Sequence, residues 1–263
     1  MNLKAYNIFS VNQLSEAEKR SIYIRLIPKE LFARFNLPEN LIDAQGNDLL
    51  KLVCPPGSST AEMELRHRVD FIDPILYGHI TDTTNGQIHV LLYTLLDPDS
   101  PRFDVDRLPD GTKTVFGIKC RNLEAEKAAM EYGLAPGQIR RGLRLLGAAI
   151  QGFEFFVKSL GQELFFAEPL FYHNAVIFER YGFNYAKGRK LMERIQQGFS
   201  EEGDLLKKLD NSTPFRRPEA AQSIRLRSWA IHDGILGEPF NHVTMYKYVG
   251  KSAAINTCGE CRW

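Results

Sequence analysis

Residues 164–183, LFFAEPLFYHNAVIFERYGF, constrain the fold more than any other part of the chain. The apolar run Leu164-Phe165-Phe166-Ala167 stops at Glu168-Pro169. A polar break follows at Tyr172-His173-Asn174, and Gly182-Phe183 closes a short amphipathic turn. Proline has no N–H to give a sheet, and glycine is the residue most at home just past a helix end. The plan is a buried strand, a break and a short helix, with broken ends where a ligand can meet backbone groups.

The chain has 263 residues, enough for one large domain or two small ones. With 44% apolar and 25% charged residues it can bury a sizeable core. Basic and acidic residues nearly cancel, 33 against 32, which speaks against nucleic acid or an anionic membrane as partner. No apolar run approaches the roughly 20 residues that span a bilayer. The N-terminus lacks an apolar leader core, so a cytoplasmic location is expected. Cysteines at 54, 120, 258 and 261 are too few for a disulfide framework in a chain this long, which fits a reducing compartment. Cys258-Gly259-Glu260-Cys261 reads as part of a flexible tail, with half a zinc knuckle or a redox pair as the alternatives.

Ser15 and Glu18 have the spacing of a capping box, which starts a helix running to about Phe35 and split at Pro28. Alternation over residues 62–71 predicts a strand. Residues 75–81 and 87–96 predict two more, joined by the hairpin signal Asn85-Gly86. A fourth strand is expected over 112–120. Residues 123–132 predict a helix closed by Gly133. Ala135-Pro136-Gly137 then opens a long helix, because Ile139, Leu143, Leu146, Ile150, Phe153, Val157 and Leu160 recur at helical spacing. The strand at 164–167 and the short helix come next. Residues 187–209 read as largely helical, and 224–229 and 243–249 as closing strands. The fold class is therefore α+β, a central mixed, mostly antiparallel sheet flanked by helices. Residues 1–60 form an N-terminal helical extension, 61–250 the main domain and 251–263 a tail.

This order of hairpin, fourth strand, long helix, fifth strand and short helix ending in Gly-Phe resembles the GNAT acyltransferases. Asn174-Ala175-Val176-Ile177-Phe178-Glu179-Arg180-Tyr181-Gly182-Phe183 resembles the family's motif after its fifth strand, one residue shorter than the commonest form. The resemblance covers residues 75–183. It implies an N-acyltransferase moving an acyl group from a thioester to a small-molecule amine. The donor would be acyl-coenzyme A or acyl-phosphopantetheine on an acyl carrier protein, with no permanently bound cofactor. In the family, backbone N–H groups at the start of the long helix hold the pyrophosphate, as helix N-termini hold anions. Two registers are open here. Arg144, Gly147 and Ala149 fit the letters of that motif but fall inside the apolar stripe. Gln138, Arg140, Arg141 and Gly142 fall at the expected helix start, with Ile139 where Gln or Arg is usual. Asn174 is placed with the donor-binding group.

The family often uses a tyrosine in the short helix as acid for the departing thiolate, and Phe178 occupies that position. Tyr172 or Tyr181 substitutes if the helix turns differently. Glu168 and His173 are the titratable candidates for the base. Each has a plain structural alternative: a strand-end surface residue for Glu168, a helix cap at His173-Asn174, a solvated face for the arginines. A catalytically inactive scaffold of the same type is the second functional reading, favoured by Phe178 and Ile139. A metal-dependent enzyme using His232, Asp233 and His242 is a third, on a spacing that fits no standard zinc pattern.

Overall fold

The computed structural model describes residues 5–114, 120–259 and 261–263. The fold is α+β, and its seven described strands form an open, mostly antiparallel sheet flanked by helices. Two compact units interleave along the chain. Unit 1 is Met1–Pro98, Gly142–Glu168 and Tyr246–Lys251, and unit 2 is Asp99–Arg141, Pro169–Met245 and Ser252–Trp263.

Unit 1 opens with three short helices, α1 (Ile8–Asn12), α2 (Glu16–Tyr23) and α3 (Lys29–Arg34). The capping box at Ser15 forms as expected, with the Glu18 N–H donating to Ser15 and the Ser15 N–H to Glu18. The split at Pro28 is also present, since α3 begins directly after it. Four strands follow: β1 (Leu50–Val53), β2 (Thr60–Leu65), β3 (Leu76–Asp82) and β4 (Ile88–Leu95). They pair antiparallel in order. β2 stops six residues short of the expected end, because Arg66 Nε donates to the Phe71 carbonyl at 3.2 Å and closes a turn there. At the Asn85-Gly86 turn the Gly86 N–H donates to the Thr83 carbonyl, and Gly86 takes φ +77°. The Asp82 carboxylate accepts from the Ile8 and Phe9 N–H groups, tying α1 to the end of β3.

Helix α5 (Leu146–Ser159) packs Phe153 between Tyr93 of β4 and Phe165 of β5 (Leu164–Ala167). It starts eleven residues later than the apolar spacing predicts. Gly137 takes φ +77° and Arg144 φ +61°, both outside the helical region. Ile139 and Leu143 keep apolar roles without a helix. Ile139 packs on the Val105–Met130–Trp229 cluster of unit 2, and Leu143 is buried where its N–H meets the Leu95 carbonyl.

Unit 2 holds α4 (Leu123–Tyr132), capped by Asn122 and closed by Gly133 at φ +101° as expected. It also holds α6 (Tyr172–Arg180), β6 (Asn184–Lys187), α7 (Arg189–Gly198) and α8 (Ile224–His232). α8 replaces the strand expected over 224–229. Ser223 accepts the Leu226 N–H as an N-cap, and Ile224, Ser228, Trp229 and Ile231 bury one side of it. The chain passes from unit 2 to unit 1 within β7 (Thr244–Tyr248), and the strand order is β1-β2-β3-β4-β5-β7-β6. The strand expected over 112–120 falls mainly on 115–119, outside the described residues.

The late start of α5 has a sharp test in Gly137→Ala. In a helix interior the change would stabilise by roughly 1 kcal/mol. Here the new Cβ would overlap the Phe171 ring at a backbone of φ +77°, so the denaturation midpoint is expected to fall. A rise would mean that the helix runs through this position.

Candidate functional site

Strand β4 carries one residue too many for its partner. Ile80 pairs with Val90 and His79 with Leu92, so Leu91 has no opposite number on β3 and forms a bulge. The parallel ladder with β5 covers His89↔Phe166 and Val90↔Ala167, ending where the Glu168 N–H donates to the Val90 carbonyl. Pro169 follows and supplies no donor for continuation. Further along the same edge the Leu143 N–H donates to the Leu95 carbonyl and Gly142 bridges Leu96. The bulge and the end of the ladder thus coincide. Between these two closures no described residue pairs with β4 on this edge, and strand alternation directs the N–H and C=O of Tyr93 towards it.

One titratable pair sits at the mouth of this opening. His89 lies on the sheet face opposite Val90, edge-on to Phe166 at 6.2 Å. Its Nε2 is buried with no hydrogen-bond partner among the described residues. The nearest acid is Glu168, with Oε2 at 3.8 Å and a side chain 43% exposed. Burial pushes the imidazole pKa below the ordinary histidine value, and the Glu168 charge pulls the other way. The aromatic row continues from Phe166 to Tyr246 at 6.2 Å and on to Tyr248 at 5.7 Å. An orphaned ring nitrogen facing a half-exposed carboxylate is equipped to take a proton from an amine.

Helix α5 begins three residues beyond the Leu143 contact. Its first intrahelical bond runs from the Ala149 N–H to the Leu145 carbonyl, which leaves the Leu146, Gly147 and Ala148 N–H groups at an end with no side-chain cap and no acidic residue. Of the two registers read from the sequence, the one containing Arg144 and Gly147 therefore stands at the helix start. Gly142 and exposed Arg144 lie on the approach to it. Gln138, Arg140 and Arg141 belong to unit 2 and are engaged locally. Gln138 Oε1 accepts the Ala135 N–H, buried Arg140 donates to the Ser100 carbonyl, and the Arg141 N–H donates to Ser100 Oγ.

Tyr172, His173, Asn174 and Tyr181 all lie on or at the end of α6 in unit 2. Tyr172 is buried and donates to Cys258 Sγ at 3.2 Å. His173 Nδ1 lies 2.9 Å from Ser228 Oγ and Nε2 3.2 Å from Asn174 Nδ2. Burial, with His232 adding to it, lowers the His173 pKa to about 3. Asn174 Oδ1 accepts the Phe171 N–H, completing the cap of α6. Tyr181 is 40% exposed at the helix end, and Phe178 stacks on Phe183 at 4.9 Å.

No group of three or more His, Cys, Asp or Glu side chains suited to a metal occurs among the described residues. His232 Nε2 contacts Glu126 at 3.1 Å, Asp233 is paired with Arg121 and Arg216, and His242 is exposed on a backbone at φ +57°. No helix among the described residues is long and apolar enough to cross a membrane. The chain matches no protein-family model, no curated protein and no solved structure.

Sequence reasoning missed His89. A lone histidine in the strand Ile88-His89-Val90 carries no motif, and only the bulge and the β5 register give it a neighbour in Glu168.

His173 generates a pH prediction. Its folded pKa lies far below the unfolded value of about 6.5. Between the two the unfolded chain binds more protons, so stability rises with pH. The contribution is complete above pH of about 6.5 and is lost as pH falls towards 3. Urea denaturation across this range should show the slope, and His173→Gln should flatten it. An unchanged slope would mean that other groups carry it.

Proposed function

We propose that the protein is an N-acyltransferase that uses the open stretch of β4 to seat a thioester donor and the His89–Glu168 pair to deprotonate the amine acceptor. The observation that carries this reading is the coincidence, within unit 1, of the Leu91 bulge, the end of the β4–β5 ladder and the orphaned His89 Nε2. An extended pantetheine arm can hydrogen-bond along an unpaired strand edge as an added strand would. The uncapped α5 start offers N–H donors to the donor's phosphates. The uncapped α5 start is in keeping with the GNAT-type resemblance of residues 75–183, in which the start of the long helix holds the pyrophosphate; the fourth strand of that resemblance, 112–120, falls mainly outside the described residues.

In this reading the amine lone pair attacks the thioester carbonyl. A new C–N bond forms, the C–S bond breaks, and the thiolate leaves. The carbonyl oxygen gains negative charge beside the Tyr93 N–H, the kind of fixed dipole that stabilises such a transition state. The ammonium proton goes to His89 Nε2, which burial keeps neutral and available at pH 7. Glu168 then faces the imidazolium and steadies it. Acyl-coenzyme A and a carrier-bound acyl chain share the same phosphopantetheine chemistry.

A second reading, a thioester-binding protein without catalysis, has one specific support. Phe178 offers no hydroxyl where the family often has one, and it is stacked against Phe183.

Thermal shift with coenzyme A, acyl-coenzyme A and acyl carrier protein, followed by thiol release with a panel of amines, separates the readings. The expected result is stabilisation by a thioester and amine-dependent thiol release. His89→Gln should lower kcat by about 10²–10⁴-fold with little change in KM for the thioester. Stabilisation without turnover would favour the second reading. No response to any thioester would sink both.

A further inference from the structure

We propose that Cys258–Cys261 is a thiol–disulfide exchange site, reduced by a dithiol, that controls how the C-terminal segment lies on α6. The proposal is independent of the acyltransferase reading and belongs wholly to unit 2. Residues 258 and 261 are bonded, and both are largely buried.

The surroundings of the two sulfurs differ in a way that a purely structural bridge does not need. Cys258 Sγ receives two donors, the Tyr172 hydroxyl at 3.2 Å and Arg227 Nη1 at 3.4 Å. Cys261 Sγ faces an acceptor instead, Gln196 Oε1 at 4.0 Å. A disulfide sulfur is a weak acceptor, whereas a thiolate is a strong one, so a phenol and a guanidinium converging on one sulfur suit Cys258 as a thiolate. An amide oxygen beside the other suits Cys261 as a protonated thiol. The site is thus complementary to the reduced pair, with the charge on Cys258. A bridge spanning three residues also closes a very short loop, which constrains the unfolded chain little and argues against a structural staple.

These contacts set the direction of exchange. A thiolate of the dithiol attacks Cys261 Sγ, forming a mixed disulfide and expelling Cys258 as a thiolate into the Arg227–Tyr172 cradle. The second thiol of the reductant, once deprotonated, attacks the mixed disulfide and expels Cys261, which takes up that proton. The reductant leaves as a cyclic disulfide, having given two electrons. The better leaving group is the sulfur whose thiolate is better stabilised, and the two donors place that at Cys258.

The same segment is fastened to α6 on either side of the pair. The Thr257 N–H and hydroxyl donate to Glu179, and the Trp263 ring lies 6.0 Å from that of His173. Arg262 is held separately, its N–H donating to the Gln222 carbonyl and its carbonyl accepting the Ile224 N–H, so reduction frees the stretch between Thr257 and Arg262, where the Cys261 carbonyl accepts from Arg180 of α6.

The test equilibrates full-length protein with graded ratios of reduced to oxidised dithiothreitol under native conditions, then alkylates it and reads each cysteine by mass spectrometry. Cys258 and Cys261 should interconvert reversibly as one two-electron unit, with Cys54 and Cys120 as internal references. Tyr172→Phe, which keeps the buried ring but removes a hydrogen bond to the thiolate, should shift the equilibrium towards the disulfide by roughly tenfold. Arg227→Gln should shift it the same way if the variant folds. A bridge that survives excess dithiothreitol in the folded state would overturn the proposal. So would a pair that stays reduced throughout, or a Tyr172→Phe equilibrium identical to the parent.

Discussion

The extra residue at Leu91 is the constraint on which the rest of unit 1 depends. A bulge shifts the alternation of a strand by one, so residues before and after it exchange faces. Val90 and Ala167 share the face that α5 covers, and after the bulge it is Tyr93 that turns to that face and meets Phe153. Without the shift, Tyr93 would project from the face occupied by His89. The same insertion falls beside the end of the β4–β5 ladder, where Pro169 removes the next donor.

What was legible in the sequence follows from local chemistry. The Ser15 cap, the Pro28 break, the Asn85-Gly86 turn and the Gly133 stop depend on residues close together in the chain, and the structure has all four. The strand at 164–167 and the short helix after it were readable for the same reason. The errors are cases where distant contacts override periodicity. Ile139 and Leu143 fit the stripe of α5, yet Ile139 packs partly buried on the Trp229 cluster and Leu143 is buried against β4, both outside any helix. Ile224-Arg225-Leu226-Arg227 alternates like a strand, yet Ser223 caps it and Trp229 anchors it as a helix in a buried cluster. A bulge leaves no trace in composition, so His89 could not be singled out in advance.

The two histidines show how burial alone does not define a role. His173 has neighbours at both ring nitrogens and is held neutral deep in unit 2, which makes it a packing and hydrogen-bonding residue in the folded state. Burial also lowers the His89 pKa, but its Nε2 has no hydrogen-bond partner among the described residues and faces a carboxylate that reaches solvent. An unsatisfied buried nitrogen costs stability unless something offsets it. Such a cost is tolerated most readily at a site that a substrate completes.

Hydrogen exchange at the Tyr93 amide tests the central claim most directly. In the proposed function a pantetheine thioester fills the edge of β4 that no described residue pairs between Val90 and Leu95. Saturating thioester should slow exchange at Tyr93, while Thr94, whose backbone faces β3, should change little. Unaltered exchange at Tyr93 with thioester present, or protection confined to other segments, would contradict the account.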